Sequence, residues 1–363
     1  MRVAVRVDAS PLIGGGHAMR CLTLADELAA RGAEITFVSA AMPDALAKRI
    51  EAAGHKLVRI AAPAGLERDR SDWHEPPLNP DVQAAHARAA GAAAGAVDWL
   101  IVDHYLLDVH WHRAARSFAD RLLVIDDLAN RSYDCDVLVD ETGGRSSTDY
   151  DGRVPDQAKV LVGAQFALLR PEFAKERSAA LERRREAKRA ELILISLGTT
   201  DPNGVTAAAL EAVLVAASDC SIHVVLGEDA TSLPRTITAA GENRRVEVHV
   251  NTNRMAELMR DADVAIGAAG TTSWERCCLG LPAIALVLAE NQRANAEALE
   301  LAGAAIMVKN VGEIHDTVAR LVSDEQALQS MSAAAFGLTD GLGTVRVLDA
   351  MLAAPAQTAA VRA

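Results

Sequence analysis

The sequence predicts an α/β protein of two domains, each a mostly parallel sheet covered by helices, facing one another across a cleft. Two observations carry that expectation. Apolar, strand-like runs alternate with helical patterns through the first half. After a highly charged stretch at 171–190, the same alternation restarts at Glu191-Leu192-Ile193-Leu194-Ile195-Ser196. The chain has 363 residues, 50% of them hydrophobic, which is enough for two ordinary domains with sizeable cores.

The first strand is expected at residues 2–8, from the run Val3-Ala4-Val5-Arg6-Val7, and a helix at 18–31 places Leu22, Leu24 and Leu28 on its buried side. Further strands are expected at 34–39, 56–60, 98–103, 121–126, 136–140 and 159–163, with helices at 43–53, 80–96 and 108–118. The Ala-rich stretch Ala84 to Ala96 reads as part of a helix rather than as low-complexity sequence. These elements make a first domain over 1–170. Residues 171–190 open on Pro171-Glu172-Phe173 and run through Glu182-Arg183-Arg184-Arg185-Glu186. Interleaved signs of charge predict a solvated linker helix there, not a nucleic-acid patch. A second domain is expected over 191–338, with strands near 192–197, 221–226, 245–249, 263–267, 283–287 and 305–307, and a C-terminal helix and Ala-rich tail over 339–363. No exact internal repeat is visible.

The net charge of −12 argues against general nucleic-acid binding, which needs basic density to neutralise phosphates. It leaves room for a small anionic ligand held by backbone N–H groups. Met1-Arg2 runs straight into a strand with no signal-peptide pattern, and no apolar run reaches the roughly 18 residues that span a bilayer, so a cytoplasmic protein with no membrane partner is expected. Cys21, Cys135, Cys220, Cys277 and Cys278 make an odd count without a CxxC pair, which predicts buried free thiols rather than disulfides or zinc. A monomer without metal or cofactor is the expectation.

In parallel sheets ligands bind at the carboxyl ends of strands, so the loops there carry the candidate chemistry. Pro11-Leu12-Ile13-Gly14-Gly15-Gly16-His17-Ala18-Met19-Arg20-Cys21-Leu22 joins the first strand to the first helix. Gly14, Gly15 and Gly16 permit close backbone approach, and a helix start favours an anion. His17 is a candidate base beside that anion; the plain alternative is a helix-capping histidine. The spacing is neither GxGxxG nor a GKS/GKT phosphate loop. Asp103-His104-Tyr105 follows the strand at 98–103 and either serves a site or closes the sheet and caps the next helix. Ser196-Leu197-Gly198-Thr199-Thr200-Asp201-Pro202 offers backbone N–H groups from Gly198 and Thr199; alternatively Asp201 caps a helix whose early position is Pro202. Gly267-Ala268-Ala269-Gly270-Thr271-Thr272-Ser273-Trp274-Glu275-Arg276 is a second place where bare backbone and hydroxyls meet a helix start, suited to a pyrophosphate. Glu275 either accepts hydrogen bonds from a ribose diol or closes a capping box with Thr272. Finally, Glu290-Asn291-Gln292 follows a buried strand; Asn291 and Gln292 either read sugar hydroxyls and amides or start a helix.

Taken in order, these residues resemble the UDP-sugar hydrolases of the pseudaminic acid pathway. The likeness runs through Arg6-Val7-Asp8, Ile13 to Cys21, Val102-Asp103-His104-Tyr105, Ile125-Asp126-Asp127, Leu168 to Phe173, Gly270 to Pro282, Glu290-Asn291-Gln292 and Asp340 to Val347. The resemblance implies two Rossmann-like domains in the GT-B architecture and metal-independent hydrolysis of UDP-2,4-diacetamido-2,4,6-trideoxy-β-L-altropyranose, in surface-sugar synthesis such as flagellin glycosylation. It places His17 on the catalytic base, Tyr105 and Asn291 on substrate contacts and Glu275 on the nucleotide. Arg20, Asp103, Thr271, Thr272 and Gln292 fall in the same segments as candidate substrate contacts. Thr199 and Ala269 depart from the family's glycines, each adding a Cβ near the diphosphate. UDP leaves as a stabilised anion, so one base acting on water suffices, with inversion at the anomeric carbon and C–O cleavage; Asp8 is a candidate to orient His17. Two rivals stay open: a glycosyltransferase of the same architecture using a UDP-sugar donor, and a noncatalytic nucleotide-sugar binder. Against a lipid acceptor, segments 61–81 and 143–156 read as polar and flexible.

Overall fold

The computed structural model describes residues 1–10, 14–62 and 79–353. The chain divides into two compact units: Met1–Leu168 together with the C-terminal helix, and Leu169–Leu342.

In the first unit the strands are β1 (Arg2–Val7), β2 (Glu34–Ser39), β3 (Lys56–Arg59), β4 (Val97–Asp103), β5 (Ala119–Ile125), β6 (Val137–Asp140) and β7 (Lys159–Val162), in the spatial order β3-β2-β1-β4-β5-β6-β7. All pairings are parallel, with Val5 opposite Phe37 on one side and Ile101 on the other. The helices are α1 (Gly16–Ala30), α2 (Asp44–Ala52), α3 (Pro80–Ala94) and α4 (Val109–Ala115). Both sheet faces are covered, which is why the strands read as continuous apolar runs. Val3, Val5 and Val7 alternate onto a core with Leu24, Leu28, Phe37 and Ile101, whereas Ala4 packs with Leu100, Val102, Trp111 and Leu122 on the other face.

In the second unit β8 (Leu192–Ser196), β9 (Ser221–Leu226), β10 (Val246–Val250), β11 (Val264–Ala268), β12 (Ala283–Leu286) and β13 (Ala305–Val308) form a second all-parallel sheet, ordered β10-β9-β8-β11-β12-β13. It is flanked by α5 (Pro171–Glu186), α6 (Val205–Ala216), α7 (Leu233–Ala240), α8 (Met255–Asp261), α9 (Thr272–Cys278), α10 (Arg293–Leu301), α11 (Ile314–Leu321) and α12 (Glu325–Leu338). In both sheets the strand order reverses once, between β1 and β4 and between β8 and β11. The loops leaving those strands part there and open a crevice.

Three expectations need correction. The segment expected as a solvated linker helix is a helix, α5, with Arg183 and Arg185 exposed, but Arg184 is buried and Arg177 half-buried, and both act as clamps. Arg184 donates to Met259, Arg260 and Ala262 carbonyls at 2.7–3.1 Å, satisfying the otherwise unpaired end of α8. Arg177 does the same for Cys278, Phe336 and Thr339 at 2.6–2.8 Å. The C-terminal helix α13 (Gly343–Ala353) is part of the first unit: Val347, Leu348 and Met351 join its core, and Gly343 lies so close that a Cβ would stand 2.3 Å from the Ala167 carbonyl oxygen. Within 143–156, Tyr150 is fully buried with its hydroxyl 2.9 Å from Asp126 and 2.7 Å from Asp140, its one hydrogen shared between them, so that part is tied to the sheet. Residues 63–78 of the other polar segment, the Pro11-Leu12-Ile13 start of the glycine loop and the tail after Ala353 lie outside the described residues. All five cysteines are buried and free. Among the described residues no helix is long and apolar enough to cross a membrane.

Candidate active site

In the first unit, adjacent strand ends assemble one buried polar cluster. Gly14 has φ 80° and donates to the Ser10 carbonyl at 2.7 Å. Gly15 is the N-cap of α1, which makes His17 its second residue; the first turn has neither a side-chain cap nor an acidic residue. His17 is not a cap. Its Nδ1 lies 2.7 Å from Oδ1 of Asp103, the last residue of β4. Asp103 in turn caps no helix, since Asp108 caps α4.

Arg20, three residues along α1 and on the same face, binds Asp103 through Nε at 2.7 Å and Nη2 at 2.8 Å. It also forks onto Asp127 with two 2.8 Å bonds, and its Nη1 stands 3.3 Å from Glu141. Arg20 Nη2 also lies 3.1 Å from His17 Nδ1. Its two hydrogens already have acceptors on Asp103 and Asp127, so the proton on Nδ1 belongs to the histidine and points at Asp103. That leaves Nε2 as the basic nitrogen of His17. Tyr105 sets its ring edge against His17, with centroids 4.8 Å apart, and donates its hydroxyl to Asp127. Asp8 does not orient His17: its carboxylate takes Arg6 at 2.6 Å, Ser39 at 3.0 Å, the Ala40 N–H at 2.8 Å and His104 at 3.1 Å.

Burial and charge oppose each other across this cluster. Burial would raise the Asp103 carboxyl, but Arg20 and His17 outweigh it and hold Asp103 well below the usual carboxylate range. Asp127 is lowered in the same way, chiefly by Arg20 against burial. One guanidinium cannot serve three acids equally. Glu141, the farthest, is pushed up to about 7 by burial, with Asp127 adding to the rise and Arg20 opposing it. Burial also raises the Tyr105 phenol, and Asp127 adds to it, so Tyr105 remains a donor.

The second unit's candidates gather where β8 and β11 end. Gly198 has φ 113° with open space where a Cβ would be. Thr199 beside it is exposed, and its carbonyl accepts from Gly227 at 2.9 Å. Asp201 does cap α6, accepting from Val205 and Thr206 at 2.9 Å each, but from ahead of the N-cap Gly204, so Pro202 lies in the turn and not in the helix. Ala269 is fully buried, so its methyl group fills protein interior rather than ligand space. Gly270 faces Gln292, whose Nε2 would be 3.5 Å from a Cβ there, while Gln292 Oε1 accepts from the Leu288 N–H at 2.8 Å. Asn291 sits in the same short 3-10 turn, Glu290–Gln292.

No capping box forms between Thr272 and Glu275: the N-cap of α9 is Thr271, and no side chain caps that helix. Glu275 instead stands 3.5 Å from Arg170, its carboxyl raised by burial and pulled back by Arg170 and Arg276. Arg276 was quoted in the sequence only as part of the run. It is buried beneath the loop and donates to the Ala268 carbonyl at 2.7 Å and Ser273 Oγ at 2.9 Å. Asp127, Glu141 and Arg276 are the residues that sequence reasoning left without a role. Acids just past the ends of β5 and β6 were the available signal for the first two.

The comparisons with known proteins agree with the two-domain reading. Residues 192–345 match the glycosyltransferase family 28 C-terminal domain. An uncharacterised protein of Methanocaldococcus jannaschii is 27% identical over 81% of this chain and 57% of its own length. The spore coat polysaccharide biosynthesis protein SpsG of Bacillus subtilis is 29% identical over 53% of this chain and 58% of its own. The chain thus spans little more than half the length of these two relatives. Solved structures with the same fold include Acinetobacter baumannii MurG, with a TM-score of 0.62 and 16% identity over 96% of this chain and 98% of that one. The Neisseria meningitidis UDP-GlcNAc 2-epimerase bound to UDP-GlcNAc has a TM-score of 0.64 and 12% identity, covering 97% and 100%. The spinosyn rhamnosyltransferase SpnG has a TM-score of 0.63 and 17% identity, covering 96% and 100%. The fold is GT-B: two Rossmann-like α/β domains.

The expected pseudaminic-pathway hydrolase is corrected by these findings. A Campylobacter jejuni UDP-2,4-diacetamido-2,4,6-trideoxy-β-L-altropyranose hydrolase does align over 82% of this chain and 95% of its own length, but at only 21% identity. The matched domain is a glycosyltransferase's, and MurG and SpnG, a rhamnosyltransferase, share the fold. The balance lies with the transferase alternative.

Proposed function

We propose that this protein is a GT-B glycosyltransferase that moves a sugar from a UDP-linked donor to a hydroxyl of a saccharide acceptor. The match of residues 192–345 to a glycosyltransferase C-terminal domain carries this reading. The polysaccharide role named for SpsG and the UDP-GlcNAc held by an epimerase of the same fold support the acceptor and donor classes. The second unit holds the nucleotide: Gly198, Thr199, Gly270, Thr271 and Thr272 approach the diphosphate, Glu275 takes the ribose diol, and Asn291 and Gln292 read polar groups on the sugar. In the first unit, Gly14 to Gly16 leave room for close approach, and Tyr105 and Arg20 fix the walls around His17.

His17 Nε2 takes the proton of the acceptor hydroxyl. The oxygen then bonds to the anomeric carbon as the carbon–oxygen bond to the diphosphate breaks, and UDP leaves with the electron pair. Asp103 holds the Nδ1 proton and stabilises the imidazolium that forms. Attack opposite the leaving group inverts the anomeric centre.

UDP release from UDP-sugars, measured with and without saccharide acceptors, tests the reaction. Release that requires an acceptor, with a new glycoside formed, is expected; release at the same rate without any acceptor overturns transfer. The variant His17→Ala is expected to lose about 10²–10⁴ in turnover, with UDP affinity by calorimetry retained. Undiminished turnover would remove His17 from the chemistry.

A further inference from the structure

One cluster of metal-ligating side chains lies apart from the residues assigned above. β10 is the edge strand of the second sheet, paired in parallel with β9. The register sets Glu247 directly opposite His223. His249, two residues beyond Glu247, falls on the same face of the strand. One ligand atom from each of the three lies within 4.8 Å of the others.

The spacing is informative. His223 Nε2 is 3.5 Å and His249 Nδ1 3.6 Å from the Glu247 carboxylate oxygens. Both distances are too long for good hydrogen bonds. They run to the two different oxygens of the carboxylate, so Glu247 stands between the two rings, and one ligand atom of each residue lies within reach of a single ion. The two rings meet edge to face with centroids 4.9 Å apart.

We propose that His223, Glu247 and His249 bind one divalent d-block cation of the zinc class, which fastens edge strand β10 to β9. Two imidazoles and one carboxylate suit zinc rather than calcium or magnesium, and the exposed side of Glu247 leaves the fourth position to water. The ion has no part in the proposed sugar transfer, so the two readings stand or fall separately.

The test uses the tag-free full chain, stripped with a chelator and then dialysed against buffered micromolar Zn²⁺ or Co²⁺. One equivalent of zinc by elemental analysis is expected, with the visible bands of tetrahedral cobalt and a thermal midpoint that rises with zinc. His249→Gln and Glu247→Gln are expected to lose the equivalent and the shift, while His315→Gln, at an exposed histidine elsewhere, keeps both. Absence of zinc uptake by the wild type, or undiminished uptake by folded His249→Gln and Glu247→Gln variants, overturns the site. Circular dichroism separates loss of ligand from loss of fold.

Discussion

Replacing Glu141 by glutamine separates burial from charge in the His17 cluster. Glu141 Oε1 faces Arg20 at 3.3 Å, and Oε2 accepts the Leu168 N–H at 3.1 Å. Its carboxyl moves from an ordinary value of 4.5 to about 7 on folding. Between those values the native state holds a proton that the unfolded chain has lost. Stability from this group is therefore fully present below pH 4.5 and is lost as the pH rises through about 7. The displacement corresponds to about 3 kcal/mol. Glutamine has no such titration. It does leave one N–H₂ facing either Arg20 or the Leu168 N–H, a pH-independent cost of about 1–3 kcal/mol. Glu141→Gln is thus expected to be the less stable protein near pH 5, and the gap should close or reverse by pH 8. Urea denaturation at intervals across that range measures the gap, and the ¹³C shift of the Glu141 carboxyl reports its pKa directly. Asp140, raised to about 6 mainly by burial, is present in both proteins and cancels in the difference. A gap that stays constant from pH 5 to 8 would show that Arg20 outweighs burial at Glu141, and the reasoning would fail.

Two further outcomes follow from the same geometry. Asp103→Asn removes the anion that fixes the His17 tautomer at 2.7 Å, so turnover should drop about 10²–10⁴-fold with UDP affinity unchanged by calorimetry; equal losses in both would mean a folding defect instead. Gly267→Ala places a Cβ 2.4 Å from Arg276 Nη1 and 3.2 Å from the Ser196 carbonyl oxygen, and Arg276 is held too firmly to swing aside. The expected loss is about 1–3 kcal/mol in urea denaturation, together with weaker UDP binding, and wild-type stability would show that the arginine is free to move.

The sheets were legible because strands covered on both faces must be apolar throughout. Every expected strand is present with its ends within two residues of expectation, from Arg2–Val7 to Ala305–Val308. His17 was legible as a helix-start residue and Asp103 as a strand-end residue. Their pairing was not. It joins residues 86 apart in sequence, and the Arg20–Glu141 contact joins residues 121 apart. Nothing local marks which acid meets which base, and Asp8 was as near in sequence to His17 as any candidate. The charged run in α5 misled for the same reason. Arg184 looks solvated by its neighbours Arg183 and Arg185, yet it is 5% exposed because α8 ends against it. A buried arginine and a surface arginine have the same local sequence signature; only the carbonyls they reach distinguish them.

The strand order explains why the candidate residues fall into two sets. β1 lies between β2 and β4, and β8 between β9 and β11, so each sheet has one point where neighbouring connections leave in opposite directions. In the first unit, the strands on one side of that point, β4, β5 and β6, deliver Asp103, Asp127 and Glu141 to a single arginine on α1. Asp103 bonds both His17 and Arg20, which holds the His17 ring in one orientation. In the second unit, the corresponding loops carry glycines, hydroxyls and a braced backbone, and Arg276 is spent on the Ala268 carbonyl and Ser273 rather than on an acid. Its charge lies beneath the loop without a salt-bridged carboxylate. The first arrangement sets more carboxyls than cations around one histidine; the second sets an arginine under bare backbone, where the proposed transfer would place the leaving diphosphate. Under the proposed transfer, the same fold in both units would divide the labour through the charges placed at each reversal point rather than through topology.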